Sequence, residues 1–259
     1  MTYLKSSIRL IAVILLLIAA VSFNSCKKGS NNGNPNPTPP PTTQQDIAAV
    51  NSKITTLMAT LAVSKNGKLV YVKGYGHADQ ALSTPVTPQS RFRLASVSKT
   101  YTGVAIMKLV QDGKLSLDAK VFGTGGVLAN DFGTPPYNAN LSNITVRHLL
   151  QNVTGSWGAS TGGDVIDQNP AYTNTQLMNW ILNTRPNPQA PGAVYDYSNV
   201  NFFIAGRVIE KISGKTYINF IKEDILAPIG VTLTDIAGKT EAERKTNEVK
   251  YYGQGNDVA

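Results

Sequence analysis

The chain has 259 residues, 42% of them hydrophobic, with 24 Lys and Arg against 16 Asp and Glu, a formal charge of +8 and an isoelectric point near 9.5. That length supports one domain with a substantial core or two interleaved subdomains, and no internal repeat divides it. The basic excess suits an anionic partner, but the lysines are scattered and no basic stripe interleaved with aromatics appears, which argues against nucleic-acid binding.

Lys5 and Arg9 precede an apolar run at 10–21, followed by small residues and Cys26, the layout of a signal peptide. The run is shorter than the roughly 20 residues a membrane-spanning helix needs. Cys26 is the only cysteine, so an internal disulfide is excluded. Its place after "VSFNS" resembles the lipobox of bacterial lipoproteins, although Phe23 stands where that pattern has an aliphatic residue. The resemblance implies lipidation at Cys26 and a membrane-anchored protein of the bacterial envelope, facing the periplasm or the exterior. Next comes "KKGSNNGNPNPTPPPTTQQ", too polar to bury apolar surface and too rich in proline to fold compactly. At about 3.1 Å per residue it would act as a tether on the order of 50 Å long. The expected organisation is a signal peptide at 1–25, lipidated cysteine and tether at 26–45, and a folded domain at 46–259.

Residues 47–61 read as a weak helix. Asn66-Gly67, between alternating apolar positions, predicts a tight hairpin joining strands near 59–63 and 68–74. "STPVTPQSRF" is a proline-punctuated loop leading into "FRLASVSKTYTGVAIMKLVQDG". From Val97 that stretch is apolar nearly all round at Val104, Ala105, Ile106, Met107, Leu109 and Val110, which predicts a buried helix stopped at Gly113. Further helices are predicted at 146–151, 175–183, 200–213 and 217–226. A hairpin followed by a mostly helical stretch is an α+β arrangement.

Ser96 and Lys99 are three residues apart and share a face at the start of the predicted helix, where unpaired amides and the helix dipole favour developing negative charge. A serine hydroxyl becomes a nucleophile when a base removes its proton, and a lysine can be that base if burial or a nearby cation lowers its pKa. The sequence looks to a buried helix start for that desolvation. Alone, Ser-x-x-Lys is weak evidence, since the pattern occurs by chance in many chains and more often marks a capping serine and a solvated lysine.

A second motif, "PGAVYDYSNVNF" with Tyr197-Ser198-Asn199, changes this. "FRLASVSKTYTGVAIMKLVQDGKLSLD", "ITVRHLLQNVTG", "PGAVYDYSNVNFFIAGRVIEKISGKTY" and "ILAPIGV" follow one another in an order that resembles the serine β-lactamase and penicillin-binding-protein superfamily. The likeness is to the branch holding class C β-lactamases, D-alanyl-D-alanine carboxypeptidases and related esterases, and it covers 58–231. It implies Ser96 as acylated nucleophile, Lys99 and Tyr197 as the acid/base pair, Asn199 as a substrate-orienting donor, and no metal or other cofactor. Tyr195 is expected to pack beside the site. The implied substrate is a small molecule or a peptidoglycan peptide.

Two departures stand out. "QNVTG" places Asn152 and Val153 where the family often reads His and Thr, in a loop expected to be structural. The family's third motif, Lys-Thr-Gly or His-x-Gly on a strand beside the nucleophile, is not found, and the chain closes on "KYYGQGNDVA". The resemblance therefore implies a β-lactamase/transpeptidase-like fold, an antiparallel sheet with a helical subdomain, lacking the family's last strands and carboxy-terminal helix. A non-catalytic envelope lipoprotein that binds peptidoglycan or a β-lactam, and an inactive truncated member, stay open beside the hydrolase.

Other chemistries find less support. Gly-x-Ser-x-Gly is absent. His77 and His148 lack Cys or His partners at metal-ligand spacing, and His148 reads as structural. "SGKTY" and "AGKTE" lack the first glycine of a phosphate-binding loop, with Ile209 and Leu233 in its place, and read as surface turns. Asp112 and Asp118 read as polar loop residues.

Overall fold

A computed structural model describes residues 42–54, 58–155, 157–158, 165–185, 187–238 and 240–252. The signal-peptide run, Cys26 and nearly all of the tether lie outside these residues. Among them, no helix is long and apolar enough to cross a membrane. The chain divides into two compact units, 1–56 and 57–259. The first contributes α1 (Thr42–Ile54). The helix expected at 47–61 therefore begins and ends earlier, because 59–61 belong to the first strand.

In the second unit β1 (Ala59–Lys65) pairs antiparallel with β2 (Lys68–Tyr75), Lys65 facing Lys68 across the turn. Asn66 at φ 53° and Gly67 at φ 72° both occupy the left-handed region, which a two-residue hairpin turn of this kind requires. A bulge between Val63 and Ser64 shifts the register. A second small antiparallel pair joins β3 (His77–Asp79) to β4 (Thr84–Pro85).

The rest is mainly helical: α2 (Ser98–Gln111), α3 (Ala139–Ser142), α4 (Val146–Gln151), α5 (Asn174–Thr184), α6 (Asn199–Ser213) and α7 (Tyr217–Phe220). A π-helical turn, Ile221–Leu226, continues α7. Capping boxes start α4 at Thr145 and α5 at Thr173, and Gly214 at φ 70° ends α6. Helix α6 buries Val200, Ile204, Ala205, Val208 and Ile209, a stripe at helical spacing. This stripe packs with Ile106 and Leu109 of α2, Leu149 of α4, and Met178 and Ile181 of α5 in one core. Helix α2 is not buried all round: Val104 and Met107 are 48% and 47% exposed, while Thr102, Ala105, Ile106 and Leu109 are buried. The Thr102 hydroxyl lies 2.8 Å from the Tyr217 hydroxyl, tying α2 to α7, and burial pushes the Tyr217 pKa above its ordinary value.

Asp112 pairs with Lys108 and Asp118 with Arg147, so both aspartates are engaged in ion pairs. His148 accepts the Thr145 N–H at Nδ1, 3.2 Å, and completes the α4 capping box. Gly214 and Thr216 of "SGKTY" end one helix and cap the next.

Candidate active site

Ser96 sits in a 3-10 turn, Ala95–Val97, that runs directly into α2, and Lys99 lies in the first turn of that helix. Ala95 precedes the serine at φ 44°, left-handed backbone that a residue with a Cβ adopts only at a cost. The turn is held from behind. Arg91 N–H donates to the Asn247 carbonyl at 2.7 Å, Val249 N–H returns to the Arg91 carbonyl at 3.1 Å, and Arg93 pairs with Glu248 at 3.0 Å. A cavity of about 490 Å³ lies on that side, with Leu94, Ala95 and Tyr101 among its walls; Ser96 is not one of them.

Tyr197 and Asn199 come from the other motif, at the entry to α6, for which Ser198 is the N-cap. The Tyr197 hydroxyl lies 2.5 Å from Ser96 Oγ. Lys99 Nζ donates to Ser96 Oγ at 3.1 Å and also to Asn199 Oδ1. That second bond turns the amide oxygen of Asn199 toward the lysine and its donor nitrogen away. Lys99 Nζ also stands 4.7 Å from the Tyr197 ring centre and 5.7 Å from that of Phe202. The four residues singled out by the two motifs are thus brought together. The enclosure expected at the helix start is not present among the described residues: Ser96 is exposed, Tyr197 is 37% exposed and Lys99 half-buried. Tyr195, expected to pack beside the site, is 65% exposed.

What holds the second motif in place is the loop after α4. Asn152 ends that helix at φ 55°, a left-handed position that asparagine tolerates better than most residues. Its carbonyl accepts the Asp196 N–H at 2.9 Å, and its Oδ1 accepts the Ser198 N–H at 3.2 Å and Asn201 Nδ2 at 3.1 Å. Val153 and Thr154 continue the ledge, through Gly192 N–H to the Val153 carbonyl at 2.7 Å and Thr154 Oγ1 to Asn201 Oδ1 at 3.0 Å. A Cβ on Gly155 would stand 2.2 Å from the Gln189 carbonyl oxygen, so only glycine admits this approach. Asn152, Thr154, Asn201 and Phe202 were not marked by spacing. The sequence signals at this loop are the departure from the family pattern at Asn152 and Val153 and an asparagine just past an apolar helical run, where a left-handed cap is common.

Among the described residues no group of three or more His, Cys, Asp or Glu side chains is placed to hold a metal ion.

Residues 50–259 match the family model described as Beta-lactamase. Protein flp of Staphylococcus aureus (strain NCTC 8325) is 26% identical over 201 residues, which is 76% of this chain and 38% of that one. Penicillin-binding protein 4* of Bacillus subtilis (strain 168) is 26% identical over 200 residues, 74% of this chain and 41% of that one. The chain thus spans about two fifths of the length of these relatives. The penicillin-binding protein of Bacillus halodurans, a solved structure, superposes with a TM-score of 0.64 at 22% identity, covering 82% of this chain and 64% of that one. Small antiparallel sheets, a helical core and a match over most of the chain converge: the protein has a β-lactamase/transpeptidase-like α+β fold and belongs to the beta-lactamase family.

Proposed function

We propose that the protein is a serine acyl-transfer hydrolase acting on an amide, ester or β-lactam carbonyl of a small molecule or cell-wall peptide. The observation that carries this is the double engagement of Ser96 Oγ, 2.5 Å from the Tyr197 hydroxyl and 3.1 Å from Lys99 Nζ. A hydroxyl bonded to two proton-handling groups can lose its proton as it attacks. In the proposed reaction the Ser96 Oγ–carbonyl carbon bond forms as the serine proton passes to the Lys99–Tyr197 pair. That pair returns it to the leaving nitrogen or oxygen as the scissile bond breaks. Water then attacks the acyl-serine, giving up one proton through the same pair, and the carboxylic acid leaves with Ser96 restored. Asn199, oriented by Lys99, is the proposed donor to the substrate carbonyl beside the scissile bond. Membership of the family and the names of its penicillin-binding relatives support the choice of carbonyl substrate.

The same reading places the protein in the bacterial envelope, lipidated at Cys26 and held off the membrane by the proline-rich tether. It is supported by the order of charged, apolar and small residues ahead of Cys26.

Intact-protein mass spectrometry of the full chain, incubated separately with a penicillin and a fluorophosphonate beside Ser96→Ala, tests the catalytic reading. The expected result is a single adduct lost in the variant. A penicillin adduct points to cell-wall peptides, and a fluorophosphonate adduct alone points to esters. Cooperatively folded protein that takes up neither leaves a non-catalytic binding role.

A further inference from the structure

We infer that Asn152 is a positioning residue for Tyr197 and Asn199, acting through the backbone between them; this rests on the reading of Ser96 as nucleophile. Its contacts bracket the second motif. The Asn152 carbonyl holds Asp196 N–H, the residue before Tyr197, and its Oδ1 holds Ser198 N–H, the residue before Asn199. The same Oδ1 takes Asn201 Nδ2, the second residue after Asn199, whose own Oδ1 is occupied by Thr154. Asn152, Thr154 and Asn201 are 7%, 1% and 0% exposed, so water does not compete for these bonds. Hydrogen bonds in a buried, low-dielectric setting are strengthened and resist rearrangement.

The segment also meets Gly158, where a Cβ would fall 1.8 Å from Asp196 Cγ, so the Asp196 side chain is closely approached while its amide is held by Asn152. Tyr197 itself is 37% exposed and reaches its partner by a hydroxyl 2.5 Å from Ser96. Its hydroxyl is carried on a segment whose amides on both sides, at Asp196 and Ser198, are held by Asn152, so a shift of that backbone moves the hydroxyl with it. Catalytic geometry is sensitive to displacements of this kind, about 1 Å costing roughly a hundredfold.

Two substitutions separate the side chain from the turn. Asn152→Gly keeps the left-handed cap and the carbonyl bond to Asp196 but removes Oδ1, whereas Asn152→Asp keeps an acceptor in its place. In the full chain, the rate constant for fluorophosphonate acylation at saturation should fall about 10- to 100-fold in Asn152→Gly, with little change in the half-saturating concentration. Asn152→Asp should recover most of that loss. Hydrogen exchange at the Ser198 amide reads the contact independently of activity: protected in wild type and in the Asp variant, unprotected in the Gly variant. If the Gly variant does not melt cooperatively, Asn152→Ser, whose shorter side chain cannot span to Ser198, takes its place. Wild-type acylation by the folded Gly variant, or equal Ser198 exchange in all forms, overturns the inference. A wild type that takes up neither fluorophosphonate nor penicillin ends the nucleophile reading, and Ser198 exchange still decides whether Asn152 holds the segment.

Discussion

The hydroxyls of Ser96 and Tyr197 meet at 2.5 Å although 101 residues separate them in the chain. One comes from the turn entering α2 and the other from the segment entering α6, and the packing of these two helices on each other brings the motifs together. Tyr197→Phe removes the hydroxyl while keeping the ring 4.7 Å from Lys99 Nζ. Under the proposed mechanism, fluorophosphonate acylation of Ser96 slows by about 10² to 10⁴, the usual contribution of a positioned acid/base. Thermal stability should be nearly unchanged. Acylation within threefold of wild type would show that Tyr197 handles no proton.

The helix packing behind this arrangement is itself testable. Ile204 of α6 is fully buried in the common core. Ile204→Ala should cost about 2–5 kcal/mol through lost transfer energy and the cavity left behind. For a chain of this size each kcal/mol lowers the melting temperature by about 2–4 °C. Differential scanning calorimetry checks the shift. A drop under about 2 °C would mean that α6 does not carry the core.

Much of this was legible in the sequence where the signal is local. Asn66-Gly67 marked the hairpin because its turn accepts few other pairs, and Ser96 and Lys99 were linked because helix geometry places residues three apart on one face. Position within the core was less legible: Val104 and Met107 look like core residues in an apolar helix, yet they face outward, which depends on the helices that happen to flank α2. The loop at Asn152 reads as structural from the sequence, but the segment it grips does not, since hydrogen bonds from a loop to another segment leave no periodic pattern. The exposure of Ser96 also escaped the sequence, because burial at a helix start is decided by what packs over it.

His148 gives the fold a pH dependence with a definite sign. Burial lowers its pKa below the ordinary value near 6.5, a bond to the Asn143 backbone acting the other way. The folded state then binds fewer protons than the unfolded chain, so its contribution to stability is full above about pH 6.5 and falls as pH drops below that value. Structurally, a proton on Nδ1 removes the acceptor for the Thr145 N–H. Melting temperatures between pH 8 and pH 5 should show the decline. His148→Gln supplies the usual capping-box partner without a titrating group and should flatten the curve. An unchanged slope in the variant would assign the dependence to other groups.

The ion pair behind the turn that carries Ser96 predicts the acid limb. Glu248 is almost wholly buried at its side chain, accepts Arg93 Nε at 3.0 Å and, on its other oxygen, the Lys245 N–H at 2.9 Å. Burial alone would raise its pKa, but the Lys245 and Arg93 bonds outweigh it and hold the carboxyl below its ordinary value. That contribution is complete above about pH 4.3, the unfolded value, and is lost as pH falls through the lower folded one. Glu248→Ala should cost about 1.5–3 kcal/mol for the charged hydrogen bonds at pH 7. Less of the difference from wild type should remain at pH 3, where the wild-type carboxyl is itself being protonated. Because Arg93 stands three residues before Ser96, the variant should also be acylated more slowly at pH 7 per folded molecule. Urea unfolding at the two pH values, paired with the acylation rate, checks both effects. A stability loss with no change in acylation would show that the turn carrying Ser96 is set by Ala95 and α2 alone.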